Sequence, residues 1–136
     1  MEEYTTHSEA ETRDIGRRLA ATARGGEIIL LSGALGAGKT TLVKGIAEGL
    51  GLNADQILSP TFTLMHMYET KKPGCGISTI VHVDTYRLQS EQELMDVGLD
   101  EYLGARHTLA VIEWPEKISR LLHGKSVRQV SLSHIG

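Results

Sequence analysis

One octapeptide, Gly33-Ala34-Leu35-Gly36-Ala37-Gly38-Lys39-Thr40, constrains this 136-residue chain more than any other feature, because it satisfies the pattern G-x-x-x-x-G-K-[ST]. The run before it, Glu27-Ile28-Ile29-Leu30-Leu31-Ser32, is continuously apolar, as a strand is when helices bury both its faces. After it, Lys39 to Leu50 sets Leu42, Val43, Ile46, Ala47 and Leu50 on one helical face, and Gly51 can close the helix. Strand, glycine loop and helix follow in the order a phosphate-binding P-loop requires. Glycine lets successive backbone N–H groups turn inward as an anion cradle, and the helix adds the positive end of its dipole. Lys39 supplies a cation for β- and γ-phosphates, and Thr40 a hydroxyl for Mg²⁺. ATP and Mg²⁺ are therefore the expected ligands, with Gly33, Leu35, Gly36, Ala37, Gly38, Lys39, Thr40 and Thr41 as the nucleotide-binding candidates. No Asn-Lys-x-Asp guanine-reading signature occurs, which disfavours a GTPase.

The remaining pattern predicts one α/β unit over residues 1–136: a three-layer P-loop NTPase domain with a mixed, mainly parallel sheet. Ser8-Glu9-Ala10-Glu11 has the form of a capping box, opening a helix that Gly25-Gly26 is expected to end. Thr63 to Tyr68 and Ser78 to Val83 read as strands joined by a turn-rich, hairpin-type linker, so part of the sheet should be antiparallel. Ser90-Glu91-Gln92-Glu93 is a second capping box, for a short helix through to Gly98. Thr108 to Glu113 is another buried strand, Pro115 can open a helix, and Val127 to Leu132 reads as the last strand.

Composition excludes several classes. No apolar run approaches the roughly 20 residues needed to span a bilayer, so no membrane association is expected. The acidic, polar N-terminus lacks the order of a signal peptide, which makes cytoplasmic residence the expectation. A net charge of −3 disfavours broad binding to phosphate backbones, so any contact with nucleic acid is expected to be local or through a partner. Cys75 has no second thiol to pair with. The six histidines, at 7, 66, 82, 107, 123 and 134, show no metal-ligand spacing and read as structural or surface residues.

A P-loop also needs a carboxylate at the end of a neighbouring strand to organise the metal and its water. Asp84 ends the run Thr79-Ile80-Val81-His82-Val83, and Glu113 ends Leu109-Ala110-Val111-Ile112. Both thus fall at carboxyl ends of strands, where α/β sheets place ligands. Ser59-Pro60-Thr61-Phe62 is a proline-constrained loop whose hydroxyls either sense the γ-phosphate or belong to a plain connection. Trp114 packs on nucleotide, on a partner or in the core.

Four motifs in order resemble the TsaE (YjeE) family: Gly36-Ala37-Gly38-Lys39-Thr40-Thr41-Leu42, Ser59-Pro60-Thr61-Phe62-Thr63-Leu64, His82-Val83-Asp84-Thr85-Tyr86-Arg87-Leu88 and Ile112-Glu113-Trp114. The similarity runs from about Ser8 to Leu132. It implies an ATPase that supports threonylcarbamoyladenosine modification of tRNA, at the adenosine 3′ to the anticodon. That ATPase acts with TsaB and TsaD, whose complex transfers the group, and meets tRNA only indirectly. By position, the resemblance implies that Lys39 binds phosphate, Thr40 and Glu113 ligate Mg²⁺, Asp84 supports metal or attacking water, and Thr61 acts as a switch residue. Trp114 matches a family position near the active site.

Two departures stand out. The family usually carries an acidic residue directly after the first P-loop glycine, where this chain has Ala34, and it commonly continues past the strand that ends near Leu132. The first keeps alive a nucleotide-gated binding module with little turnover. The second suggests a sheet lacking an edge strand, or a naturally short chain. A small-molecule kinase shares the P-loop, yet it needs an acceptor pocket and a lid for which the chain has little length.

Overall fold

The two apolar runs become neighbours at the centre of the sheet. The computed structural model describes residues 2–33, 38–57, 65–70, 74, 76–85, 89–113 and 119–134. Its strands are β1 (Glu2–Thr6), β2 (Ile28–Gly33), β3 (Met65–Glu69), β4 (Thr79–Asp84), β5 (Thr108–Glu113) and β6 (Arg128–His134). Its helices are α1 (Glu9–Thr22), α2 (Lys39–Gly49), α3 (Glu91–Asp96), α4 (Leu99–Tyr102) and α5 (Ser119–Leu122), with a 3-10 turn at Ala54–Gln56. Among the described residues the sheet has the order β1-β6-β2-β5-β4-β3. Every pairing is parallel except that of β3 with β4. The mixed, mainly parallel sheet of the sequence reading is thus the observed one.

Side chains alternate across the pleat, and each central strand feeds two cores. Ile29, Leu31, Ile80, Leu109, Val111, Val130 and Leu132 pack with the apolar stripes of α1 and α2. Ile28, Leu30, Val81, Val83, Ala110 and Ile112 pack on the other side with Leu94 of α3, Leu99 of α4 and Leu103. That double coverage is why β2 and β5 carry no polar face, and it makes three layers.

α1 and α2 approach unusually closely, because glycine replaces a side chain at each crossing point. A Cβ on Gly16 would lie 2.3 Å from the Leu42 carbonyl oxygen, and one on Gly45 would lie 2.2 Å from the Arg13 carbonyl oxygen. The helix ends are satisfied locally. Ser8 Oγ accepts from the Glu11 N–H at 3.1 Å. At the far end of α2, Gly51 adopts φ 89°, while its N–H reaches Glu48 O and the Leu52 N–H reaches Ala47 O at 2.9 Å. Those two bonds form a Schellman motif, as the glycine after Leu50 predicts.

Three features differ from the sequence reading. α1 stops at Thr22, with Ala23 extended at ψ 147°, so Gly25-Gly26 is not its cap. The glycine pair instead makes the turn into β2, where the Gly26 N–H bonds Thr108 O at 2.8 Å and a Cβ on Gly25 would meet Gly76 O at 2.6 Å. The N-terminal segment is a strand, β1, that adds to β6 with Glu2 opposite Val130. β6 is therefore an interior strand, flanked by β1 and β2. Finally, α4 follows α3 directly, with Gly98 at φ 85° between them. The helix expected from Pro115 corresponds to α5, while residues 114–118 lie outside the described residues.

Candidate nucleotide site

The carboxyl ends of β2, β5 and β4 deliver the site. β2 ends at Gly33 and α2 begins at Lys39, with Gly38 as its N-cap in the left-handed region at φ 92°. Among the described residues no side-chain cap closes the start of α2. Lys39 donates Nζ–H to the Gly33 carbonyl at 2.9 Å, and it is 5% exposed. Thr40 and Thr41 follow in the first turn, both half-buried. Gly38 packs beside Thr12 of α1: a Cβ there would meet the Thr12 methyl at 3.5 Å. The buried Thr12 is itself fixed by a 2.8 Å hydroxyl–hydroxyl bond to Thr6 of β1.

The two acidic candidates are brought together. Asp84 is the last residue of β4 and lies in register with Glu113, the last residue of β5, which is itself one strand from β2. By alternation from Ile80 and Val111, Asp84 and Glu113 share the face that α2 covers. Asp84 is half-buried, whereas Glu113 is 3% exposed. The end of β5 is also tied to β4 beyond the ladder, since both the N–H and the Oγ1–H of Thr85 bond the Glu113 carbonyl, at 3.2 and 3.0 Å.

His82 is the residue that sequence reasoning assigned no specific role. It is fully buried on β4, and its Nε2 lies 2.5 Å from Glu113 Oε2. Its position two residues before Asp84 on one strand puts it on the same face, and that period of two was the available signal. His66 of β3 stands opposite His82 in register, its ring 6.1 Å from that of Tyr68. Burial, with His82 beside it, holds His66 below the usual imidazole range.

The donor set suits a hard cation. A helix-terminal hydroxyl at Thr40 and the carboxylates of Asp84 and Glu113 are oxygen ligands, which Mg²⁺ prefers. Among the described residues no cluster of three or more His, Cys, Asp and Glu side chains can hold a metal ion by itself. Mg²⁺ fits such a site because it commonly takes one or two carboxylates and completes its shell with water and substrate phosphate. Ala34, Leu35, Gly36, Ala37, Thr61 and Trp114 lie outside the described residues. Among the described residues no helix is long and apolar enough to cross a membrane.

Comparison with known proteins gives a consistent family. Residues 6–135 match the family model described as threonylcarbamoyl adenosine biosynthesis protein TsaE. The tRNA threonylcarbamoyladenosine biosynthesis protein TsaE of Bacillus subtilis is 40% identical over 119 residues, covering 88% of this chain and 70% of that protein. The protein of the same name from Streptomyces coelicolor is 43% identical over 105 residues, covering 76% and 67%. The crystal structure of Bacillus subtilis YdiB superposes with a TM-score of 0.61 at 34% identity, covering 85% of this chain and 66% of that one.

Proposed function

The chain belongs to the TsaE family, and on that premise we propose that it is a Mg²⁺-dependent ATPase supporting threonylcarbamoyladenosine formation in tRNA. In this reading it acts on a TsaB–TsaD complex, which carries out the group transfer, and it meets tRNA only through that complex. The observation that carries the ATPase reading is the convergence of two groups on one face of the sheet. Lys39 and Thr40 open α2, and the register pair Asp84–Glu113 ends the strands beside it.

Hydrolysis forms a bond from water oxygen to the γ-phosphorus and breaks the bond to the β–γ bridging oxygen, whose electron pair leaves with ADP. The chain's contribution is placement and charge. Backbone N–H groups at the start of α2 and the Lys39 ammonium neutralise the phosphate oxygens. Lys39 bonds the Gly33 carbonyl at the end of β2, which keeps its ammonium between that strand and the start of α2. Asp84 is suited to orient the attacking water and accept its proton. Thr40 and Glu113 would hold Mg²⁺, which when bound offsets charge on the β- and γ-phosphates.

A second reading has one observation in its favour: Ala34 replaces the acidic residue usual after the first glycine. A chain that binds ATP and turns it over little would act as a nucleotide-gated binding module. Phosphate release by the purified chain, alone and with TsaB–TsaD under saturating Mg-ATP, separates the two. The ATPase reading expects strong stimulation by the pair and its loss in Lys39→Ala. Tight ATP binding without stimulated release would leave the binding module, and phosphate transfer to a metabolite would instead indicate a kinase.

A further inference from the structure

His82 is hard to explain as a packing residue. It is 0% exposed, and among the described residues its Nδ1 has no hydrogen-bond partner. A buried nitrogen left unpaired costs stability, whereas a leucine filling the same space would incur no such loss. Its other nitrogen makes one short contact, to the carboxylate of Glu113 at 2.5 Å, across 31 residues of sequence. The neighbours on either side in register are His66 of β3 and Val111 of β5, so the ring is wedged between strands. Glu113 is meanwhile anchored through its main chain by Thr85, and that leaves the direction of its side chain to be set by His82.

We propose that His82 is a positioning residue for the divalent cation site: its Nε2–H holds Glu113 Oε2, so that the carboxylate is presented to the cation in one orientation. With the carboxylate ionised, Nε2 carries the hydrogen and Glu113 accepts it. His82 then touches neither nucleotide nor metal and acts only through Glu113, as outer partners of ligating carboxylates do. The inference rests on the reading of Glu113 as a metal ligand, and its test must separate the two.

The experiment is calorimetric ADP binding in EDTA and across a Mg²⁺ titration, with Mn²⁺ binding followed by electron paramagnetic resonance, in the parent, Glu113→Gln, His82→Leu, His82→Gln and His82→Asn. His82→Leu is expected to keep the metal-free ADP affinity while weakening Mg²⁺ and Mn²⁺ binding by about 10–100-fold, the range for loss of an outer-shell partner. His82→Gln, whose amide N–H can take the place of Nε2–H, should recover most of that loss, and the shorter His82→Asn should not. If Glu113→Gln leaves metal affinity intact, the ligand reading fails and this inference falls with it. If Glu113→Gln weakens metal binding but a cooperatively melting His82→Leu does not, the positioning role alone is overturned. Should His82→Leu not fold, the amide pair decides: equal metal affinities for His82→Gln and His82→Asn overturn the proposal. An equal fall in metal-free ADP affinity would also overturn it, because that marks general damage.

Discussion

At Glu48 two guanidinium groups of α1 converge on one carboxylate of α2. Arg13 binds it through Nη2 at 2.6 Å and Nε at 3.1 Å, and Arg17 adds Nη1 at 3.0 Å. The Arg13 hydrogen bonds hold the Glu48 carboxyl below its ordinary value of 4.5. The folded state therefore binds the proton more weakly than the unfolded chain. The stabilisation is present above 4.5 and is lost as pH falls below it toward the folded value. Glu48→Gln should lower the melting temperature near neutrality, and the difference from the parent should close as melts are taken down to about pH 3. A difference constant across that range would show that Glu48 acts through packing and not through charge. Single residues were legible where chemistry is local. The placement of Lys39 and Thr40 at the start of a helix, and of Asp84 and Glu113 at strand ends, was readable because a glycine pattern and the ends of apolar runs mark them. The contact of His82 with Glu113 was not, since it depends on which strands become neighbours.

Between elements, the α1–α2 crossing decides how firmly the loop helix is held. Gly45→Ala sets two effects against each other. Alanine favours the helix by roughly 1 kcal/mol over glycine. Its Cβ would stand 2.2 Å from the Arg13 carbonyl oxygen, against main chain that cannot swing aside as a flexible side chain would. Overpacking of that kind costs about 1–3 kcal/mol and wins here, so chemical denaturation should find Gly45→Ala less stable than the parent. A stability gain would show that the helices separate freely. The elements themselves were legible where periodicity is strong, as in β2, α2 and β5. β1 was missed because Glu2-Glu3-Tyr4-Thr5-Thr6 has no apolar run, and it is held by pairing with β6 and by Arg128, which ion-pairs with Glu2 and Glu27. The end of α1 was misplaced because Gly25-Gly26 serves the turn's close approach to Gly76 and His107, a contact local sequence does not reveal.

Across the whole molecule, stability should be graded from the middle strands outward. β2 and β5 have cores on both sides and partners on both edges, while among the described residues β1 and β3 each pair on one edge only. Hydrogen exchange should find β2 and β5 amides the slowest and those of β1 and β3 among the first strand amides to exchange. Arg128→Leu should speed exchange in Glu2–Thr6 while leaving β5 unchanged; uniform acceleration would mean that β1 is not a separately opening unit. The order of the strands bears on synthesis too. β6 leaves the ribosome well after β2, with β3, β4 and β5 between them, yet must slide in beside it. Until it does, one flank of the strand leading into the phosphate loop offers unpaired backbone to any other nascent chain, and β1 has no neighbour to join. A ribosome that stalls between β5 and β6 would thus hold a chain with its central ladder open, which ties correct maturation to the emergence of β6.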